Sequence, residues 1–108
     1  MLFLVISTPR PERPSSMTGR RKKFWRWIEP KLKSRQCRWV YARTGRGAAA
    51  LFDVGSNEEL HVLLNGWAEL IPAHFEIHPL IDAAGAKRFL GGIQMKRQSG
   101  KKTSKNRS

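Results

Sequence analysis

Residues 51–82 read LFDVGSNEELHVLLNGWAELIPAHFEIHPLID, and within them the start and stop signals of three consecutive elements agree. Leu51-Phe52 and Val54 form an apolar run that leads into Gly55. Ser56-Asn57-Glu58-Glu59 then has the form of a capping box: the Ser56 hydroxyl accepts from the backbone three residues on, and Glu59 reaches back toward the helix start. Both glutamates favour the positive end of the helix dipole. Leu60, Leu63, Leu64, Trp67 and Ile71 follow at i, i+3, i+4, i+7 and i+11, one continuous apolar stripe, so the helix is amphipathic and lies on something. Pro72 has no N–H to continue the ladder and disfavours helical geometry at Ile71, which ends the helix there or one turn earlier. His74-Phe75-Glu76-Ile77-His78 alternates with period 2 and predicts a strand with one face toward the helix and three ionisable side chains on the other.

Working outward, residues 36–43 set Cys37, Trp39 and Tyr41 against Arg38, Val40 and Ala42 in strand-like alternation. Thr44-Gly45-Arg46-Gly47 is a tight turn and residues 48–54 resume as a strand, which makes a β-hairpin. Upstream, residues 17–32 are helical: Phe24, Trp27, Ile28 and Leu32 share a face, Trp25 points away from it, and Pro30 predicts a kink or an end near Glu29. Residues 8–16 hold Pro9, Pro11 and Pro14 and read as a loop. Residues 2–7, LFLVIS, are an apolar run of strand length, as in a strand covered on both faces and central in its sheet. The order is therefore β-α-β-β-α-β. Right-handed crossovers turn it into an α+β, ferredoxin-like arrangement, a four-stranded antiparallel sheet with both helices on one face. Such a domain leaves one sheet face open, and Val5, Trp39 and Tyr41 are poor candidates for solvent, so a homodimer is expected, with higher assembly left open.

At 108 residues the chain has room for one domain, which we place at residues 1–92; in it Phe89 and Leu90 are expected to dock as a helical turn. Residues 93–108 lack apolar periodicity and read as a disordered basic tail. The formal charge of +13 is unevenly spread. Residues 1–52 hold 13 Lys and Arg against Glu12 and Glu29, residues 53–86 hold six acids and no Lys or Arg, and residues 87–108 hold eight basic residues and no acid. An acidic centre between basic flanks speaks of anionic contacts rather than of fold. No run is long and apolar enough for a membrane span, and residues 2–6 lack the basic flank of a signal peptide, so a cytoplasmic location is expected. The lone Cys37 leaves no internal disulfide and no cysteine metal cluster, and reads as a small buried group on a strand.

The opening MLFLVI, the FWRWIEP run, RGAAALFDVGSNEELHVLL and the closing IPAHFEIHPLID together resemble the muconolactone isomerase-like group of dimeric α/β-barrel proteins over residues 1–82. The resemblance implies two ferredoxin-like protomers whose sheets close into a barrel. It also implies a ligand pocket between sheet and helices or at the subunit boundary, and a cofactor-independent isomerase chemistry on a lactone from aromatic breakdown. It departs from that group in its wholly apolar first strand, with Leu4 where the isomerases carry a histidine, so a full catalytic set does not transfer.

Moving a proton along an unsaturated lactone needs a base and an acid near working pH. His74, Glu76 and His78 lie at i, i+2 and i+4 on one strand face and are the candidate catalytic set; the alternative for them is the wet side of an edge strand or a polar bridge between subunits. They lack a fourth ligand, so no metal is expected, and no cofactor. Trp39 and Tyr41 suit a flat ligand, and Arg38 and Arg43 suit its carboxylate; the alternatives are core packing and a solvated strand edge. A rival function is nucleic-acid binding without sequence preference, in which Arg20, Arg21, Lys22, Lys23 and Arg26 attract phosphate and Trp25 stacks on bases. Its own alternative is a basic face that only keeps the protein dispersed.

Overall fold

The computed structural model describes residues 1–99, with side chains described for residues 1–92. Strand β1 (Leu2–Pro9) leads through a 3₁₀ turn (Pro14–Met17) into helix α1 (Thr18–Lys33). Strands β2 (Cys37–Ala42) and β3 (Ala48–Asp53) form the hairpin, followed by helix α2 (Asn57–Leu70), strand β4 (Ala73–Leu80) and helix α3 (Ala83–Ser99). The sheet runs β2-β3-β1-β4, every neighbouring pair antiparallel, which is the expected ferredoxin-like order. No helix among the described residues is long and apolar enough to cross a membrane.

The start of α2 forms as its sequence dictates. Ser56 Oγ accepts the Glu59 N–H at 3.1 Å, and Glu59 reaches back to the Gly55 N–H at 2.9 Å, one residue before the cap. Its other carboxylate oxygen accepts from Gln36 Nε2 at 2.8 Å, which ties α2 to the lead-in of β2. Leu60, Leu63, Leu64 and Trp67 are buried and Ile71 packs beside them. From α1 come Phe24 and Ile28, and from the sheet Phe3, Val5, Ala48, Ala50 and Phe52. Trp67 is the centre of this core: its ring lies 4.9 Å from that of Phe24, 5.2 Å from Phe75 and 6.3 Å from Phe52. Gly66 lets α1 approach α2, since a Cβ there comes within 3.1 Å of the Trp27 ring.

Several expectations are corrected. The loop over residues 8–16 is shorter, because β1 continues to Pro9 and Pro14–Met17 closes a 3₁₀ turn. Pro30 does not end α1; it sits on the exposed side, where water can serve the Arg26 carbonyl that its missing N–H leaves free, and the helix runs on to Lys33. The alternation of β2 breaks at a bulge between Cys37 and Trp39. Cys37 and Val40 therefore share the core side while Trp39 and Tyr41 take the other. Val5 is fully buried beneath the helices and does not belong to the open face. Phe89 and Leu90 do not dock: both are exposed on α3, which is a full helix rather than a turn. The expected division at residues 92/93 falls inside α3, and residues 100–108 lie outside the described residues.

Candidate functional site

Cross-strand pairing places the sequence candidates on the face away from the helices. One row reads Trp39–Leu51–Leu4–His78 and the next Tyr41–Ala49–Ile6–Glu76, with His74 beyond them opposite Thr8. Trp39 and Tyr41, their rings 5.3 Å apart, thus occupy one edge of this face and the acid–base group the other. With strands about 4.8 Å apart the two edges are separated by roughly 14 Å, so they form no single site within a protomer. Glu76 and His78 are joined at 2.7 Å, with Glu76 exposed and His78 half-buried. His74 is exposed too, with no hydrogen bond to another described side chain among those resolved at this edge. Arg38 is committed to Asp53, with which it forms an ion pair, and its guanidinium beside Asp53 holds that carboxyl below its ordinary range. No group of three His, Cys, Asp or Glu among the described residues is placed to hold a metal ion.

A cavity of about 200 Å³ lies on the opposite side, between the helix layer and the end of the sheet. Phe24, Trp25, Trp67 and Ile71 supply apolar walls, Ser7, Pro9 and Ala48 close the sheet end, and Arg21, Arg43 and Arg46 stand around it. None of the lining residues is Asp, Glu or His. Two of the arginines are fixed by neutral acceptors. Arg43 Nη1 donates to the Ser7 carbonyl at 3.0 Å and to Thr8 Oγ1 at 3.1 Å; Arg46 donates to the Glu12 carbonyl at 2.6 Å and the Arg10 carbonyl at 3.2 Å. The Arg46 Nε is buried and has no hydrogen-bond partner among the described residues.

The hairpin loop makes this arrangement possible. The Arg43 N–H closes it on the Gly47 carbonyl at 2.9 Å, and Gly45 and Gly47 both have positive φ. Gly47 also lies against the Ser7 carbonyl, where a Cβ has no room, so the loop settles onto β1 and carries Arg46 to the cavity wall.

The structure therefore divides the basic run of α1. Arg21 and Trp25 turn toward the cavity, while Arg20, Lys22, Lys23 and Arg26 are exposed. Trp25 is 47 % exposed and edge-on to Phe24 with 5.4 Å between ring centroids, part wall and part rim. Sequence reasoning passed over Arg46 as a turn residue and weighed Arg21 only as a phosphate contact. The signal available was a pair of arginines flanking a glycine turn, at residues 43–47, beside the small Ala48. Cys37 is fully buried, and burial pushes its thiol up to about 11, so it stays protonated at neutral pH and carries no nucleophile.

Residues 1–94 match a family described as a domain of unknown function, DUF3303. No curated protein matches the chain.

Proposed function

The chain belongs to the DUF3303 family, whose description names no activity, and on that premise we propose that it binds a small organic anion in the cavity between its helices and its sheet. The observation that supports this is the meeting of three arginines and an aromatic wall around a cavity lined by no acid. Guanidinium groups pair with carboxylate or phosphate oxygens in charge-assisted hydrogen bonds, and the aromatic wall suits a flat, apolar body. The resemblance to the muconolactone isomerase-like group agrees with a ligand of this kind and with a cytoplasmic protein. The reading separates binding from acid–base work: His74, Glu76 and His78 stand on the other face of the sheet, and the cavity holds no group suited to shuttle a proton near neutral pH. A binding role is therefore favoured over isomerisation.

The same reading includes a homodimer joined through the open sheet face. Leu2, Leu4, Ile6, Leu51 and Trp39 are only partly covered in the protomer and Tyr41 is 67 % exposed, a continuous apolar surface of the kind that a second copy shields. Nucleic-acid binding is second. It is favoured by Arg20, Lys22, Lys23 and Arg26, exposed and with no salt bridge to another described residue, but its stacking residue, Trp25, is shared with the cavity.

Thermal unfolding in a panel of small aromatic and aliphatic acids tests the proposal. Wild-type protein gains several degrees with at least one acid, and Arg21→Gln loses most of that gain. A panel without any stabilising acid contradicts the proposal.

A further inference from the structure

Resting on that reading, the charge and size of the cavity narrow the ligand. We infer that it is a dianion carried on one planar ring, an aromatic dicarboxylate or an aryl phosphate.

The three cations come from two segments, Arg21 from α1 and Arg43 and Arg46 from the hairpin loop, and they line one cavity without a carboxylate among them. The partners that hold Arg43 and Arg46 are backbone carbonyls and a hydroxyl, which fix the guanidinium planes but cancel no charge. Arg21 has no salt-bridge partner among the described residues. A single carboxylate leaves two of these charges uncompensated in a partly closed, aromatic-walled space, where like charges repel more strongly than in water. A second anionic group answers that repulsion. Because two of the three arginines are already immobilised, little further side-chain freedom is lost on binding.

Size sets the other limit. A cavity on the order of 150 Å³ takes benzene, so about 200 Å³ holds one ring with two small substituents. Phe24 and Trp67, 4.9 Å apart, form the inner wall for that ring, and the exposed Arg43 and Gly45 mark the mouth through which it enters.

Calorimetric titration of the full chain with benzoate, phthalate, phenyl phosphate, succinate and benzamide reads the inference directly. Phthalate or phenyl phosphate binds roughly tenfold or more tighter than benzoate, the equivalent of one added charge-assisted contact, and whichever of the two is tighter identifies the anionic group. Succinate is roughly tenfold weaker than the better aromatic dianion, and benzamide gives no heat. Arg21→Gln weakens the dianion more than it weakens benzoate, Arg21→Lys restores part of the loss, and Arg20→Gln, outside the cavity, changes neither; circular dichroism confirms that each variant is folded. Benzoate binding as tightly as the dianions, or succinate matching phthalate, overturns the inference while leaving the cavity as an anion site. No heat from any of the five overturns both.

Discussion

The two faces of the same four strands have opposite fates. Toward the helices, Phe3, Val5, Ala50 and Phe52 are closed over by Phe24, Ile28, Leu63 and Trp67, and a cavity beside them is rimmed by arginines. Away from them, Leu4, Ile6 and Leu51 remain half-covered between an aromatic edge and an acid–base edge. The lesson is that residues suited to chemistry in a sequence need not sit where the protein has room for a ligand. The acid–base group has the right side chains on an open surface, whereas the cavity has walls, depth and charge.

The sharpest contrast is energetic. Trp67→Ala empties the middle of the closed face and costs about 3–5 kcal/mol of stability in a denaturant melt. Under the proposed homodimer, Leu4→Lys on the open face leaves the fold of the protomer intact and moves the sedimentation equilibrium from dimer to monomer; a wild-type chain that sediments as a monomer contradicts that proposal, and a dimer unchanged by the substitution places the subunit contact elsewhere. Gly47→Ala strains a residue with φ of 95° and presses on β1, at a cost of about 1–3 kcal/mol, and it weakens anion binding through the displaced Arg46. Ser56→Ala removes the α2 cap for about 1 kcal/mol and leaves ligand affinity unchanged, because α2 gives the cavity only Trp67 near its far end.

The smallest effect concerns acid. The Asp53 pKa is lowered in the folded protein, mainly by its hydrogen bond from Arg38. A carboxylate depressed on folding adds stability above its unfolded value of about 3.9 and loses it as pH falls through the folded value. Melts between pH 5 and 2 therefore show a stability loss that is shallower in Arg38→Gln, and ligand binding at neutral pH is the same in both.

Most of the fold was legible because local signals agreed with it. The capping box, the stripe from Leu60 to Trp67, Pro72 and the alternation at residues 74–78 each name an element, and the order of elements leaves few topologies. The bulge beside Arg38 was not legible: period-2 alternation is blind to one extra residue, and it reversed the partners of Cys37. Pro30 misled because a proline's cost depends on whether water reaches the freed carbonyl, which only the packed helix decides. The cavity was the hardest to foresee. Arg21, Arg43 and Arg46 share no period, and they meet only because Gly47 lets the hairpin loop rest on the Ser7 carbonyl.

The chain's four tryptophans make the comparison of faces directly measurable. Trp25 and Trp67 line the cavity, Trp27 lies in the contact between α1 and α2, and Trp39 stands on the open face. In a ¹H–¹⁵N correlation spectrum titrated with phthalate, the indole signals of Trp25 and Trp67 shift with the ligand while that of Trp39 stays in place. Movement confined to Trp39 and the amides of residues 74–78 puts the ligand on the open face and contradicts the account.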